Sequence, residues 1–539
     1  MNSKKLSQAE ILLIIIFALV PLFINLPYHI NIFLSWEGAF RMSQGQIPFR
    51  DFGSPIGGVY WIVPAVFFKI FGPQMISLIK AQVFINIVSG IAFRSILNSL
   101  KFNPNAKFIA VIVFILSYSF INFWPWYNHS VIVYELIALS FLLKHFNREK
   151  YTYLDRQLIF SSFFSVCAFL TKQDAGAMTI IICVILLLYI SITENKWASL
   201  SIYVLAILIF TSIYIFATDS LGFGYWFNHG QSPHNSRVHL SDLVEEFLSA
   251  SQWIKFYMFL MILLSFRYLA GWKNYIKDKK VVIPILLTFG ILTEAVIFAV
   301  TSYVPPDNNI FFHAFAIGFI LNAIIDLNPV IQKSSYFITT LFLVLLWWSP
   351  NYWKYTKIIF TPAKTKSKSG IISTENIVDR NSYILHNDDP GIPPEEWKTC
   401  NFSTLARITL PASTIDGINR IKQLNLIRNI KNPVILNMSE LTTLAVEIPY
   451  KLETGRDYPL WFHLGVGMFN RQAEMFESRI SKSYYDLVLF EYIPSLNNFY
   501  PFRVRDKLLN YYNPIDSFPA PRKGETQGII EVFQKKTDK

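Results

Sequence analysis

Most of the chain up to about residue 350 consists of long apolar segments that are separated by short polar connections. The segments are roughly 17 to 25 residues long, the length that an α-helix needs to cross the ~30 Å hydrocarbon core of a bilayer. This pattern predicts a polytopic α-helical membrane protein with about eleven transmembrane helices. The predicted spans are 11–33, 75–97, 107–123, 129–146, 157–171, 175–193, 198–217, 253–270, 281–301, 310–327 and 336–350.

The stretch from 35 to 72 departs from this pattern, because it mixes charged residues with aromatic residues and glycines. Its second part, 55–72, is apolar enough to resemble a further span, but Pro55, Pro64 and Lys69 interrupt it. If 55–72 crossed the membrane, the basic connections near 94–107, 144–156 and 267–280 would all face outward, against the positive-inside rule. We therefore predict that 36–46 and 55–72 form interfacial helices in the first external loop.

An odd number of spans places the chain after residue 350 on the same outer face as the first external loop. Residues 1–353 form the predicted membrane domain, 354–370 a short basic linker, and 371–539 a soluble α/β domain. Strand-like runs occur at 433–437, 485–491 and 528–533, whereas 415–428 and 470–480 have helical periodicity.

Composition supports the membrane assignment, since 53% of the 539 residues are hydrophobic and 16% are charged. The net charge of +12 comes from Lys and Arg in short connections between apolar segments, so we predict no nucleic-acid partner. Three cysteines give neither a disulfide framework nor a thiolate metal site, and no His or Glu spacing typical of a metal site occurs. The sequence therefore predicts no cofactor and gives no support for a metal, while a divalent metal stays open as an alternative.

Glu37 and Asp51 are the candidate catalytic acids. A carboxylate near lipid is costly and is a functional hypothesis by default, and burial tunes its pKa toward that of a general base. The alternatives stay open: Glu37 is solvated at a helix end, and Asp51 pairs with Arg50 or caps the next element.

Basic residues on the predicted outer face are unexpected under the positive-inside rule, and cations suit a phosphate or pyrophosphate leaving group. Each of them also fits an interfacial cation that reaches toward water. These candidate phosphate or acceptor ligands are Arg41, Arg50, Lys172 and Arg237. Polar residues at the same face that would line the cavity, or simply form interfacial hydrogen bonds, are His129, His229, Asp307 and His313.

The acidic residue after the first span, the run Pro48-Phe-Arg-Asp-Phe52 after Gly45, and the run Phe68-Lys-Ile-Phe-Gly-Pro73 resemble the GT-C superfamily of membrane glycosyltransferases. The branch that the sequence resembles most contains the protein O-mannosyltransferases and the aminoarabinose transferases of lipid A. Two positions depart from the family pattern: the first acid is Glu37, where Asp is common, and Asn309–His313 stands where an Arg-Tyr pair is usual.

The resemblance implies a glycosyltransferase that moves a sugar from a polyprenyl-phosphate carrier to a glycan, lipid or protein acceptor at the outer face of a bacterial inner membrane. It maps the catalytic base onto Glu37 and makes Lys172 and Arg237 candidates for the carrier phosphate. Two alternatives remain: a lipid or polysaccharide transporter, and an O-antigen-type polymerase or ligase, which uses a pyrophosphate-linked donor.

Overall fold

The structure is a computed structural model of the chain. It describes residues 3–28, 32–116, 123–148, 155–218, 240–269, 271–302, 310–328, 333–347, 392–448, 450–462, 468–494, 500–522 and 528–536. His229, Arg237 and Asp307 lie outside the described residues, as does the predicted linker 354–370. Their predicted roles stay predictions.

Each of the eleven segments that were predicted to span the membrane contains a helix. The helices up to residue 347 are α1 Ser3–Leu19, α2 Ile32–Ser43, α3 Ile62–Phe71, α4 Met75–Ser99, α5 Pro104–Ile115, α6 Tyr127–Phe146, α7 Arg156–Phe169, α8 Gln173–Glu194, α9 Trp197–Thr218, α10 Leu240–Glu245, α11 Gln252–Leu269, α12 Trp272–Tyr275, α13 Lys279–Ser302, α14 Ile310–Leu327 and α15 Ser334–Trp347.

Among the described residues, six helices are long and apolar enough to cross a membrane, or seven if a pair of helices bent by 78° counts as one span. The six are α1 with the following 3₁₀ turn, α4, α6, α8, α9 and α13, and the bent pair is 240–250 with 252–266. The others, such as α5 and α7, have 12 and 14 residues, short of the ~20 residues that a perpendicular span needs. The chain is thus a multi-pass membrane protein, while the predicted number of about eleven spans is not confirmed.

The first span lies nearer the N-terminus than the predicted range of 11–33. Helix α1 begins at Ser3, its last turn is a 3₁₀ segment from Val20 to Phe23, and a two-residue strand, β1 (Leu26–Pro27), follows. Pro21 and Pro27 account for this ending, because proline lacks the N–H that a helix interior requires. Glu37 therefore lies inside a second helix, α2, and not at the exit of the first.

Two sets of connections lie at opposite ends of the helix bundle. At one end, Glu10 of α1 contacts Arg94 at 2.6 Å and Lys107 at 3.4 Å. At the other end, the first loop packs on the connection between α7 and α8, where the Val59 amide donates to the Leu170 carbonyl at 3.4 Å. The structure thus brings the first loop and the segment before Lys172 to the same end of the bundle, as the predicted topology requires.

The C-terminal region contains two small sheets with helices packed against them. Its elements are β2 Trp397–Thr399, β3 Ile408–Pro411, α16 Ala412–Gln423, α17 Asn425–Asn429, β4 Ile435–Met438, α18 Leu444–Glu447, α19 Phe469–Ser481, β5 Leu487–Tyr492, α20 Phe502–Tyr511, β6 Tyr512–Pro519 and β7 Ile529–Lys535. The larger sheet has the order β4-β5-β7-β6, with β4 and β5 parallel and the other pairs antiparallel.

Strand β5 is buried on both faces, which explains its nearly continuous apolar sequence. Val488 and Phe490 on one face pack in a cluster with α19 and α20, whereas Leu487 and Leu489 on the other face belong to the larger core. The strands predicted at 433–437, 485–491 and 528–533 and the helices predicted near 415–428 and 470–480 are all present, with shifted boundaries.

The C-terminal region is joined directly to the first loop by backbone hydrogen bonds. Strand β1 pairs in parallel with β3, so that Leu26 lies opposite Ile408. The Leu460 amide donates to the Gly53 carbonyl at 2.9 Å, and the Gly53 amide donates to the Tyr458 carbonyl at 2.7 Å. These bonds hold the C-terminal region against α2, where Glu37 lies.

Candidate active site between the first loop and the C-terminal region

Helix α2 has 12 residues, and those from Ile32 to Arg41 are buried inside the protein. Gly38 allows this packing, because a Cβ at that position would lie 2.1 Å from the Trp61 ring. The Trp61 indole in turn donates to the Leu34 carbonyl at 2.7 Å. The position and rotation of α2, and with them the direction of the Glu37 side chain, are therefore fixed by close packing.

Glu37 forms a buried ion pair with Arg41, one helical turn away. The Arg41 Nε and Nη2 atoms both lie 2.8 Å from the same carboxylate oxygen, Oε1 of Glu37. The Arg41 side chain is 1% exposed and the Glu37 side chain 9% exposed. The arginine thus orients the carboxylate through one oxygen and leaves the second oxygen, Oε2, outside this pair.

Arg41 is held in place by the C-terminal region as well as by α2. Its Nη1 atom donates to the Glu453 carbonyl at 2.8 Å and to Gln46 Oε1 at 3.0 Å. The guanidinium also lies over the Tyr458 ring, with 4.9 Å between its central carbon and the ring centroid. In the structure the Arg41 guanidinium group contacts Glu37, Gln46 and Glu453, and its predicted role in binding phosphate or acceptor stays a prediction.

A cavity of about 50 Å³ lies between α2 and the larger C-terminal sheet. Glu37 and Phe33 form the α2 side of it. The opposite wall consists of β4 and the residues that follow it, residues 458–462, and Tyr500. Among the sequence-predicted site residues that the structure describes, Glu37 is the one that lines this cavity.

Glu37 has a raised pKa. Burial of the carboxylate is the largest cause, and the charge and hydrogen bond of Arg41 lower the pKa and so oppose the rise. The net effect moves the pKa of Glu37 upward, in the direction of neutral pH, as a general base requires.

The wall opposite Glu37 contains a second buried charge cluster, which the sequence analysis missed. Arg522 binds Glu440 and Glu491, and its Nη2 atom also contacts the Tyr500 hydroxyl at 2.9 Å. The Glu440 amide donates to Glu491 Oε2 at 2.8 Å. A usable signal was present in the sequence, because the polar run from Asn437 to Thr443 directly follows a predicted strand.

Asp51 and Arg50 pair with each other at the surface. Arg50 Nη2 lies 2.7 Å from Asp51 Oδ2, and the Arg50 side chain is 47% exposed. Asp51 also accepts a hydrogen bond from the Ile47 amide at 2.8 Å. The hydrogen bond from Arg50 lowers the pKa of Asp51, so this group stays ionised. This is the arrangement that the sequence analysis gave as the alternative to a catalytic acid.

Lys172 lies at the N-terminus of α8, and its ammonium group is part of a hydrogen-bonded group of side chains. It contacts Asp174 Oδ2 at 2.8 Å and Thr301 Oγ1 at 3.3 Å, and it lies over the Phe298 ring at 4.4 Å. A phosphate at this position would compete with Asp174 for the ammonium group.

His129 and His313 are both buried in the helix bundle. His313 Nδ1 lies 3.0 Å from the Tyr257 hydroxyl, and its ring packs against Trp253 with 3.9 Å between ring centroids. Neither histidine is among the described residues that line the cavity at Glu37. No group of three or more potential metal ligands occurs within the part of the chain that the structure describes.

Comparison with known proteins gives no match to a protein-family model and no match to a curated protein. Among solved structures, ArnT from Cupriavidus metallidurans bound to undecaprenyl phosphate matches at 10% identity with a TM-score of 0.48, covering 97% of both chains. Apo ArnT from the same organism matches at 10% identity with a TM-score of 0.49, covering 98% of both chains.

Both matched structures are of ArnT, an aminoarabinose transferase of lipid A, which is the kind of protein that residues 37–73 were predicted to resemble. At 10% identity they leave the chemistry of this chain to be inferred from its own side chains.

Proposed function

We propose that the protein is a GT-C-type glycosyltransferase that transfers a sugar from a polyprenyl-phosphate carrier to an acceptor at the membrane surface. The acceptor is a glycan, a lipid or a protein. The observation that carries this proposal is the buried carboxylate of Glu37, which is oriented by Arg41, has a raised pKa and lines a cavity between two parts of the fold.

In the proposed reaction, an acceptor hydroxyl oxygen attacks the anomeric carbon of the donor sugar. A carbon–oxygen bond forms at that carbon while the bond to the carrier phosphate breaks, and the phosphate leaves with the electron pair. The hydroxyl proton passes to Oε2 of Glu37, since Oε1 is bound by Arg41. The protein contributes mainly by orienting the reactants and stabilising the developing charge.

Lys172 is our candidate for binding the carrier phosphate. It lies at the same end of the bundle as the first loop, because the preceding residues, Leu170 and Thr171, pack against Gly57. An ammonium group at the N-terminus of α8 adds its charge to the positive end of the helix dipole. Binding would require the phosphate to displace Asp174 from its 2.8 Å contact with Lys172. In this proposal Asp51 is a supporting acid and Arg50 a further candidate ligand for phosphate or acceptor. Both residues lie at the surface of the first loop.

We further propose that Glu37 and the whole C-terminal region, including residues 371–391, face the outside of a bacterial inner membrane. The positive-inside rule supports this orientation. Arg94 near the end of α4 and Lys107 near the start of α5 lie at the end of the bundle opposite to the first loop, which would then face the cytoplasm.

The experiment compares wild-type protein with Glu37→Gln in nanodiscs, using a panel of undecaprenyl-phosphate sugars that carry a radiolabel in the sugar. Movement of the label from the carrier lipid into a larger or differently charged product reports transfer whatever the acceptor is, when a membrane extract is added as the acceptor source. Removal of a general base lowers the rate by about 10²–10⁴, so Glu37→Gln should lose transfer and keep its fold.

Glu531→Gln is the matched control, because that carboxylate pairs with Arg505 away from the cavity. It should keep the wild-type rate, since such a partly exposed pair contributes little. Full activity in Glu37→Gln would contradict the proposed role of this residue, and absence of transfer from every donor by the wild-type protein would contradict the proposed reaction.

A lipid or polysaccharide transporter is the second candidate, and one observation favours it. Glu135 and Glu294 are buried within the helix bundle, on α6 and α13, and ionisable residues at that depth often mark transport pathways. Transport without release of undecaprenyl phosphate, abolished by Glu294→Gln and retained in Glu37→Gln, would select this alternative.

A further inference from the structure

Both charged side chains that line the cavity, among the described residues, are carboxylates. Glu37 approaches it from α2 and Glu440 from the segment after β4. Their arginine partners, Arg41 and Arg522, are not among the described lining residues. A molecule in the cavity therefore meets negative charge from two sides, while the compensating positive charge lies behind the walls.

Within the described residues, the two clusters contain more carboxylates than guanidinium groups. Arg41 pairs with Glu37, whereas Arg522 is shared by Glu440 and Glu491. Burial of these groups keeps their field from being screened by water and salt. The described part of the C-terminal cluster thus places two carboxylates and one guanidinium group beside the cavity.

The remaining polar groups suit a hydroxylated ligand. Thr442 lines the cavity, and its buried hydroxyl has no hydrogen-bond partner among the described residues. Ser439 and the phenol groups of Tyr458 and Tyr500 also line it, together with the Trp461 ring. Such a combination of aromatic surface and a few placed polar groups is typical of sites for small polar molecules.

The position of the cavity in the fold agrees with this interpretation. Strands β4 and β5 are parallel, with Ile435 opposite Leu487, and Glu440 and Glu491 lie at or just after their carboxyl ends. Ligands of open α/β sheets bind in the crevice outside the carboxyl ends of the strands. In this fold α2 closes that crevice from the other side and contributes Glu37.

We propose that this cavity is the acceptor subsite and that it takes a hydroxyl-bearing group that carries no negative charge. The inference rests on the proposed function, since it assumes that Glu37 receives the proton of the acceptor. It means that the attacking atom is an alcohol oxygen and not a phosphate oxygen. A phosphate in this cavity would face Glu37 and Glu440 and would find both neighbouring arginines already occupied.

The volume of the cavity limits how much of the acceptor enters. A buried water needs about 10–15 Å³ measured in the same way, so a cavity of about 50 Å³ admits the hydroxyl-bearing tip of a larger molecule. The carrier phosphate must then lie outside this cavity, in agreement with the separate location of Lys172.

The experiment measures the charge preference of the cavity directly and needs no substrate. Ser439→Cys places a thiol in the cavity wall with little change in size, and Ser478→Cys on the exposed face of α19 is the matched control. The native Cys167, Cys183 and Cys400 are all buried, so the unmodified protein serves as the blank. Labelling rates are measured with a cationic, a neutral and an anionic methanethiosulfonate of similar size.

The cation-to-anion ratio of labelling rates in Ser439→Cys should exceed the ratio in Ser478→Cys by about tenfold or more, because opposite probe charges respond oppositely to the wall. Adding Glu440→Gln to Ser439→Cys removes one of these carboxylates and should bring the ratio down to that of Ser478→Cys. Using a ratio cancels any difference in the intrinsic reactivity of the two introduced thiols.

Equal ratios in the two variants, or a preference of Ser439→Cys for the anionic reagent, would overturn the proposal. Failure of every reagent to label Ser439→Cys would also overturn it, because an acceptor must enter the same space. If Ser439→Cys with Glu440→Gln does not fold, the comparison of the two single variants still decides the matter. Loss of the proposed function would appear separately, as unchanged transfer in Glu37→Gln.

Discussion

Replacing Arg41 by Gln tests whether this arginine keeps Glu37 ionised. Two nitrogen atoms of Arg41 lie 2.8 Å from one oxygen of Glu37, and both side chains are nearly inaccessible. At an effective dielectric constant of ~20, two unit charges about 4 Å apart interact by about 4 kcal/mol. This interaction with Arg41 favours the ionised form of Glu37 and so lowers its pKa, against the larger effect of burial.

Because burial already raises the pKa of Glu37, loss of the Arg41 charge should raise it further. The Arg41→Gln variant should therefore hold a larger protonated fraction of Glu37 than wild type at the same pH, and the acidic limb of its pH–rate profile should move toward alkaline pH. Arg41→Lys is the matched control, because it keeps the positive charge beside the carboxylate.

Infrared difference spectroscopy of nanodisc samples over a pH series measures this shift without a substrate. The band of the protonated carboxyl group is assigned to Glu37 by its loss in Glu37→Gln. Its midpoint should lie at higher pH in Arg41→Gln than in wild type, with Arg41→Lys close to wild type. Equal midpoints in all three proteins would refute the role given to Arg41.

The same variant makes a prediction about stability. A carboxyl group whose pKa is higher in the folded than in the unfolded protein contributes stability below the unfolded pKa, and this contribution is lost as the pH rises through the folded pKa. The melting temperature of Arg41→Gln should accordingly fall, relative to wild type, between acidic and neutral pH. A constant difference over that range would contradict a further rise of the Glu37 pKa in this variant.

Three further variants test other parts of the structure. Lys172→Met should weaken binding of undecaprenyl phosphate about 10- to 100-fold, as expected for loss of a charged hydrogen bond, and Lys172→Arg should bind more tightly than Lys172→Met. Gly57→Ala should lower the melting temperature, because its Cβ would lie 1.9 Å from a neighbouring carbonyl oxygen, whereas Gly455→Ala, with 3.8 Å to its nearest atom, should not. Arg522→Met should destabilise the fold by about 3–5 kcal/mol in chemical denaturation, because it leaves Glu440 buried without its cation.

The elements of the bundle were predictable because long apolar segments constrain the local structure strongly. The number of spans was not, since a helix such as α5 is largely apolar but has only 12 residues. Hydropathy reports how apolar a segment is. It does not distinguish a helix that contacts lipid from a helix that is buried against other helices, so it does not give the number of spans. The first span was predicted to end at residue 33, whereas α1 ends at Leu19. Hydropathy alone misses this end, because the segment stays apolar beyond Pro21 and Pro27.

Half of the candidate site was predictable from the sequence. Glu37 stands out as a carboxylate among aromatic residues, and its partner Arg41 follows at helical spacing. The other half comes from residues some 400 positions away, and its location depends on long-range strand pairing such as that of Leu26 with Ile408. No local pattern encodes such a contact, so Glu440 and Arg522 were found through the structure.

The most direct test of the account is a structure of the nanodisc-embedded protein determined by electron cryo-microscopy with undecaprenyl phosphate added. We expect phosphate density within about 3 Å of Lys172 Nζ, at the same end of the bundle as Glu37, with the cavity between Glu37 and Glu440 free of phosphate. Phosphate density beside Glu440, or at the opposite end of the bundle near Arg94, would contradict the assignment of donor and acceptor sites.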